Sequence, residues 1–435
     1  MYKEEIKKVI VAQNEISKSL SFIQRDKIIS SDEEQSDPFI QIVSGIRRCG
    51  KSTLIQHIRE NNSEKNYSIN FDDNRLVGFT SDDFEKLSEA FYELYKSEKT
   101  YYFDEIQNVE GWERFVRRLY NEGRKIYITG SNASMLSKEL GTHLTGRTIR
   151  AELYPFSFNE YLRFKGTIPE KNDFYSPEKS TLLKKAFRNY VLQGGFPEFL
   201  QTSHPLYLKN LYENIIYKDV IARYNIRNVR TIIEMIHFLI SNISKETTYN
   251  SLKNIFGLSN AISVKEYISY FENAYLIFSI NKFDFSLRKQ LANPKKIYTI
   301  DTGLANSVSF QFSENFGRQL ENVVFLQLRR KGHEIYYHRN RHECDFIIRE
   351  KGKIINAFQV CQSIENSGTR SREINGLIEA MQQYDLNNAS LITEDEEEVI
   401  MLNGLTIQVI PVWKWLLGYT GQESNLKIND VTLIS

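Results

Sequence analysis

Cysteine, net charge and long apolar runs are all scarce in this chain, and each shortage removes a class of function. Cys49, Cys344 and Cys361 are its three cysteines; three cannot close a disulfide framework, and their spacing fits no zinc site. A reducing cytoplasm is the expected home. Lys and Arg number 56 against 55 Asp and Glu, so no global basic excess draws the chain to nucleic acid, and any such surface must be local. The first residues, Met1-Tyr2-Lys3-Glu4-Glu5-Ile6-Lys7-Lys8, open an amphipathic pattern broken by charge, without an apolar core of signal-peptide length. No later run approaches a membrane span, so no membrane partner is expected. What the chain does have is 41% hydrophobic residues over 435 positions. That is too long for one ordinary core, and two or three domains are expected.

The run Gly45-Ile46-Arg47-Arg48-Cys49-Gly50-Lys51-Ser52 has the spacing of a phosphate-binding loop. Its context fits: apolar Phe39–Val43 precedes it as a strand, and a helical pattern from Thr53 to Glu60 follows. Gly45 and Gly50 let backbone N–H groups curl around a triphosphate at a helix N-terminus. Lys51 supplies a point charge for the β- and γ-phosphates, and the Ser52 hydroxyl can reach Mg²⁺. ATP and Mg²⁺ are therefore the expected ligands. Arg47 and Arg48 inside the loop are unusual, and offer contacts to phosphate or to an acidic partner.

Strand-like runs recur at Phe39–Val43, Tyr67–Phe71, Thr100–Phe103, Lys125–Thr129 and Thr148–Leu153, separated mostly by helix-period segments, which predicts a parallel, doubly wound α/β sheet. The third run ends in Asp104-Glu105, at the strand edge where such sheets bind ligands. Asp104 is expected to hold Mg²⁺ through its water shell, and Glu105 to polarise the attacking water. The fourth runs into Gly130-Ser131-Asn132, where Ser131 or Asn132 either senses the γ-phosphate or caps the helix predicted over Ala133–Leu140. Arg147, before the fifth strand, is a surface arginine or one that reaches nucleotide charge, in cis or on a neighbouring subunit.

These residues together with Phe71-Asp72-Asp73-Asn74-Arg75, Phe103-Asp104-Glu105-Ile106-Gln107, Gly111-Trp112-Glu113, Gly146-Arg147 and Pro155–Tyr161 resemble the prokaryotic AAA-type P-loop ATPases that carry a C-terminal PD-(D/E)XK nuclease-like domain. The resemblance covers nearly the whole chain. It implies an N-terminal helical segment (1–37), a P-loop ATPase domain (38–170), a helical lid (171–230), a winged-helix-like domain (231–290) and a restriction-endonuclease-like α/β domain (291–435). It places Lys218-Asp219-Val220 and Arg223-Tyr224 on a helix near the ATPase module, which either relays nucleotide state or is an ordinary charged helix face, and it makes a homo-oligomer plausible, because AAA-type sites often borrow an Arg from the next subunit.

Between Ile232 and Phe285 the order of helices, turn and strands matches a winged helix-turn-helix, with Val264–Glu272 as recognition helix. Lys265 against Glu266 and Glu272 gives that helix little attraction for phosphates, so a protein-docking or domain-packing role competes with DNA binding, and the expected partner of the chain is DNA or a DNA-bound protein. Farther on, a hairpin centred on Gly352 sets Asp345 opposite Gln359 and Glu343 opposite Cys361, on one face. With Glu321 on the preceding helix, that face resembles a PD-(D/E)XK core in which Gln359 replaces an acid and can still ligate a metal through its carbonyl. Cys361 stands in the lysine's place and brings no fixed positive charge. The expected result is a degenerate nuclease site. Arg339, Arg341, His338 and His342 form a local basic patch or a solvated loop, and Trp413 and Trp415 are expected to pack.

Overall fold

The computed structural model describes residues 1–16, 22–26, 39–131, 144–309 and 316–419. The chain folds as two compact units. The first comprises Met1–Lys171, Lys185–Ile280 and Asn293–Glu314, and the second Asn172–Lys184, Asn281–Ala292 and Asn315–Ser435.

In the first unit, strands β1 (Ile40–Gly45), β2 (Ser68–Asn70), β3 (Thr100–Asp104), β4 (Lys125–Gly130) and β5 (Thr148–Leu153) form one sheet in the order β2-β3-β4-β1-β5. Every pairing in it is parallel. β1 lies between two parallel neighbours and all six of its residues are buried, Gln41 and Ser44 included, so its sequence does not show the in-out alternation of a half-exposed strand. Phe71, Phe84, Phe103, Trp112 and Phe115 fill one core under this sheet, each contributing roughly 2 kcal/mol by leaving water. The N-terminal helix Lys3–Ile16 adds Ile6, Val9 and Ile10, spaced to share one helical face, to the same core.

The Gly194-Gly195 pair ends the helix Pro177–Gln193, and Pro197 opens Pro197–Thr202. Close packing explains both glycines: a Cβ on Gly194 would lie 2.0 Å from the Asp301 carboxylate, and one on Gly195 would lie 2.2 Å from the Phe156 carbonyl oxygen. Asp301 accepts from Gly195 N at 2.7 Å and caps the helix Thr302–Val308 through Leu304 N at 2.8 Å. One buried carboxylate thus ties the Gly194-Gly195 turn to the helix Thr302–Val308, and Phe156 N in turn donates to the Gly195 carbonyl at 2.7 Å. Farther along come the helix Val229–Ser241, β6 (Glu246–Thr247), the helices Tyr249–Ile255 and Ala261–Asn273, β7 (Ile277–Lys282) and β8 (Lys295–Thr299). β6 pairs antiparallel with β8.

The second unit is built on a mixed sheet. Its strands are β9 (Glu334–Arg339), β10 (Glu343–Glu350), β11 (Lys353–Val360), β12 (Asn388–Thr393), β13 (Glu398–Leu402) and β14 (Leu405–Pro411), in the order β13-β14-β12-β11-β10-β9. β11, β12 and β14 run parallel, and the other neighbours antiparallel. The predicted hairpin register holds from Phe346↔Phe358 to Ile348↔Asn356 and slips by one residue at a bulge before Arg349↔Ile354. Trp413 and Trp415 are buried as expected.

His338 is not part of the exposed basic patch read from the sequence, although Arg339 and Arg341 are exposed. His338 is 1% exposed, with Nε2 at 3.0 Å from Glu379 and Nδ1 at 3.0 Å from the Tyr384 hydroxyl. Glu379 also accepts from the backbone N–H groups of Arg341 and His342. Burial lowers the His338 pKa below its usual 6.5, against the pull of Glu379. The unfolded chain therefore takes up this proton first as pH falls, so the His338 contribution to stability is complete above pH 6.5 and is lost as pH falls below it. Urea unfolding from pH 8 to pH 5 is expected to show that loss, and His338→Gln to flatten it; identical profiles would remove the assignment.

Candidate nucleotide site

The phosphate loop leaves the C-terminal end of β1 and enters the helix Lys51–Glu60 at Gly50, whose φ of 101° is open to glycine and strained for other residues. Gly45 is required for a reason other than phosphate access. A Cβ there would stand 2.1 Å from the Leu153 carbonyl oxygen of β5. Ile46 and Cys49 are fully buried, so they can offer a ligand only their backbone. Arg25 braces the loop from outside: its Nη1 donates to the Cys49 carbonyl at 3.0 Å, and its Nε to Glu160 at 2.9 Å.

Lys51 is 4% exposed. Its Nζ donates to the carbonyls of Gly45 at 3.2 Å and Ile46 at 3.1 Å and lies 3.5 Å from Glu105 Oε1. Burial favours the neutral amine, yet Glu105 and other nearby negative charge hold the Lys51 pKa above its ordinary value. Glu105 sits in left-handed backbone, φ 50°, at the turn after β3. Its N–H donates to Thr129 Oγ1 at 2.9 Å, and its carboxylate accepts from Gln107 Nε2. Burial opposes its charge, but Lys51, Gln107, Arg47 and Ser131 outweigh that and keep its pKa low. Asp104 differs. Burial and then the neighbouring Glu105 charge push its carboxyl up to about 6, despite the Thr129 hydroxyl that donates to it and the nearby Ser52 and Lys51. The two carboxylates are driven apart by their surroundings, one firmly ionised and one in need of a cation.

The ligand fit rests on three features. The loop is cradled by glycines, the buried Ser131 hydroxyl makes no hydrogen bond of ordinary geometry, and Ser52 and Asp104 offer the oxygen donors a hard cation takes. Among the described residues no group of three or more His, Cys, Asp or Glu could hold a metal ion.

Asn132 and the predicted helix Ala133–Leu140 lie outside the described residues. Arg47 and Arg48 turn out to have acidic partners within the chain, Asp219 and Glu198. Reach of Arg147 in cis is ruled out by sheet geometry. Arg147 precedes Thr148, which pairs with Ile40 at the start of β1, whereas the loop begins opposite Leu153. Five residues of strand, roughly 17 Å, separate them. Sequence reasoning also missed Thr129, Gln107 and Arg25; Thr129 was within sight, as the polar end of a strand beside β3.

In the second unit, Asp345 Oδ2 accepts from Val360 N at 3.0 Å and Asp345 N donates to Gln359 Oε1 at 3.1 Å. The Gln359 carbonyl expected to ligate metal is thus spent on the backbone, and its amide donates to Glu373 at 2.5 Å. Glu373, on the helix Ser367–Tyr384, was not foreseen; it is also held by Arg372, with Nε at 2.9 Å. Burial raises the Glu373 pKa, with Asp345 adding repulsion. Burial and the carboxylates of Glu373, Glu396 and Asp345 push the Cys361 thiol up to about 12, so it stays neutral. Glu343 pairs with Arg339 at 3.5 Å. Glu321 is buried on the helix Phe316–Arg330.

Residues 37–162 match the model of an AAA domain, and residues 184–315 and 316–415 match domains of unknown function, DUF8612 and DUF4143. The uncharacterized protein MJ1544 of Methanocaldococcus jannaschii is 34% identical over 442 residues, covering 95% of this chain and 97% of its own. The chain belongs to this AAA-domain family. A Haemophilus influenzae relative, also uncharacterized, is 29% identical across 87% of this chain and 94% of its own. Solved structures with some likeness include the replication initiator DnaA bound to AMPPCP and single-stranded DNA, at 15% identity over 56% of this chain and 84% of that one, TM-score 0.24. Cdc6p from Pyrobaculum aerophilum gives 11% identity over 68% of this chain and 96% of that one, TM-score 0.24. At those scores neither bears on the present chain. No helix among the described residues is long and apolar enough to cross a membrane.

Proposed function

We propose that this family member is a Mg²⁺-dependent ATP hydrolase. The observation that carries the reading is the meeting of Lys51, Asp104 and Glu105 at the C-terminal edge of a parallel sheet, with Lys51 and Glu105 3.5 Å apart and the surroundings moving the two carboxyl pKa values in opposite directions. Gly45 to Thr53 hold the phosphates by backbone, with Lys51 as the mobile charge. Ser52 and Asp104 hold Mg²⁺, which supplies charge neutralisation on the phosphates. Glu105 orients and deprotonates water, while Gln107 and Thr129 fix its position. Ser131, just past the end of β4, acts as a polar sensor of the terminal phosphate, with Asn132, next in sequence, a candidate for the same role.

Arg147, on the far edge of its own sheet, suits the nucleotide of a neighbouring copy, which makes a homo-oligomer part of the proposal. The downstream parts are then what hydrolysis moves: a winged-helix-like module around Ala261–Asn273, and a nuclease-like unit whose neutral Cys361 and committed Gln359 argue for a retained fold and not for cleavage. The target is DNA or a DNA-associated protein. Gel shifts across a salt series decide between them, since binding through phosphates weakens as salt rises. Lys51→Ala is expected to abolish ATP binding and turnover, measured by phosphate release. Intact turnover in that variant would put the catalytic site elsewhere.

A further inference from the structure

The phosphate loop carries two arginines beyond the residues its chemistry requires, and the first is committed to a buried carboxylate. Arg47 Nε and Nη2 donate to Asp219 Oδ2 at 3.0 Å and Oδ1 at 3.1 Å, the forked pairing that a lysine cannot reproduce. Asp219 is 2% exposed. It stands on an eight-residue π-helical stretch, Ile215–Ala222, that continues the helix Tyr207–Asn214. π-helical turns are rare and recur at functional sites.

Asp219 has a second basic neighbour. Arg223, one turn along the same segment, holds Nη2 at 3.6 Å from Asp219 Oδ1, and its Nη1 is buried without a hydrogen-bond partner. One carboxylate is therefore shared between an arginine of the phosphate loop and an arginine of its own helix, and the second arginine has a donor to spare. Pulling Arg47 away would ordinarily strand a buried charge. With Arg223 already in place, the charge keeps a partner. Arg47 is also within electrostatic reach of Glu105.

We infer that Asp219 gauges the nucleotide state: a nucleoside triphosphate draws the Arg47 guanidinium off Asp219, and Arg223 takes its place, whereas a diphosphate leaves the Arg47 fork closed. This rests on the reading of the loop as a nucleoside triphosphate site. The exchange has a route onward. Tyr224, beside Arg223, stacks on Tyr270 with ring centroids 3.9 Å apart, and its hydroxyl accepts from Asn273 Nδ2 at 3.1 Å. Both partners lie on the helix Ala261–Asn273. Just past that helix, the Tyr275 hydroxyl donates to Ser44 Oγ of β1 at 2.9 Å. The helix is thereby tied at two points to elements that flank the phosphate loop.

The test uses the full chain, a nonhydrolysable ATP analogue and ADP. Asp219→Asn, which frees Arg47, is expected to raise the ratio of triphosphate to diphosphate affinity by about fivefold or more. Arg223→Gln, which leaves Asp219 dependent on Arg47, is expected to lower it by a similar factor. General damage to the fold would weaken both nucleotides alike in both variants. Hydrogen exchange over 215–224 and 261–273 is expected to differ between the two nucleotide states of the unmodified protein, and Asp219→Asn to erase the difference. If Asp219→Asn does not fold, Arg223→Gln decides alone: a lowered ratio supports the exchange, and an unmoved one overturns it. Ratios that stay put or shift in the same direction in both variants likewise overturn it. Failure of the unmodified protein to bind either nucleotide removes the site itself, whereas binding with unmoved ratios removes only the gauge.

Discussion

Glu105→Gln is expected to slow ATP hydrolysis by about 10²- to 10⁴-fold while nucleotide affinity stays within a few-fold of the parent. The amide keeps the shape of the carboxylate and can still meet Gln107 and Lys51, but it cannot take a proton from water. The environment keeps Glu105 ionised even though it is buried beside Asp104, which is the state a base must be in before it acts. Binding survives because the charge that holds phosphate belongs to Lys51 and the loop backbone. The substitution also lifts the repulsion that helps push the Asp104 carboxyl up to about 6, so cation binding there does not suffer. Single-turnover phosphate release, set beside titration with a fluorescent nucleotide, separates the two quantities. Turnover within tenfold of the parent would remove Glu105 from the chemistry; a parallel loss of binding would make its role structural.

The parts of this protein that sequence made legible are those in which function and local structure coincide within a few residues. A phosphate loop is a strand end, a turn and a helix start, so Gly45 to Ser52 reveal it together with β1 and the helix Lys51–Glu60. The Asp104-Glu105 pair ends β3 in the same way. β1, β3 and β4 follow from largely apolar, buried runs, as a parallel sheet covered on both faces requires, whereas β2 and β5 are only partly buried.

What lay hidden depends on separations that no local pattern encodes. Arg47 and Asp219 are 172 residues apart: an acidic partner is one role open to Arg47, and the resemblance puts Asp219 near the ATPase module, but no local pattern pairs the two. Gly45 looked like a phosphate glycine, yet the β5 carbonyl makes the requirement, which only the register of β1 with β5 reveals. The same register carries Arg147 away from its own nucleotide. In the second unit the hairpin arithmetic was sound to Ile348 and failed at a bulge, since bulges are set by twist and packing and leave no residue signature here. His338 was read with its basic neighbours in sequence, but strand alternation turns its ring inward to Glu379 and Tyr384.

The helix Ser367–Tyr384 supplies a case in which residue preference and packing predict opposite signs. Gly376 lies in its interior, where replacement of Gly by Ala ordinarily stabilises by about 1 kcal/mol. Here a Cβ would fall 2.0 Å from the Glu343 carbonyl oxygen and 3.0 Å from its carbon. Both are backbone atoms of β10 and cannot swing aside, so the helix must back away from the sheet. That retreat loosens Leu377 and Met381 against Cys344 and Ile347 in the shared core. It also pulls Glu373, one turn earlier, from the amide of Gln359. Gly376→Ala is therefore expected to destabilise the second unit by about 2–3 kcal/mol, at the upper range for overpacking. Gly317, near the start of the helix Phe316–Arg330, meets nothing within 4 Å. Gly317→Ala should follow propensity and stabilise by up to about 1 kcal/mol. Urea unfolding followed through the buried Trp413 and Trp415 reads both variants in the same unit. A neutral or stabilising Gly376→Ala would mean that the helix and β10 are not packed backbone to backbone, and the assembly of Asp345, Gln359 and Glu373 would lose its frame.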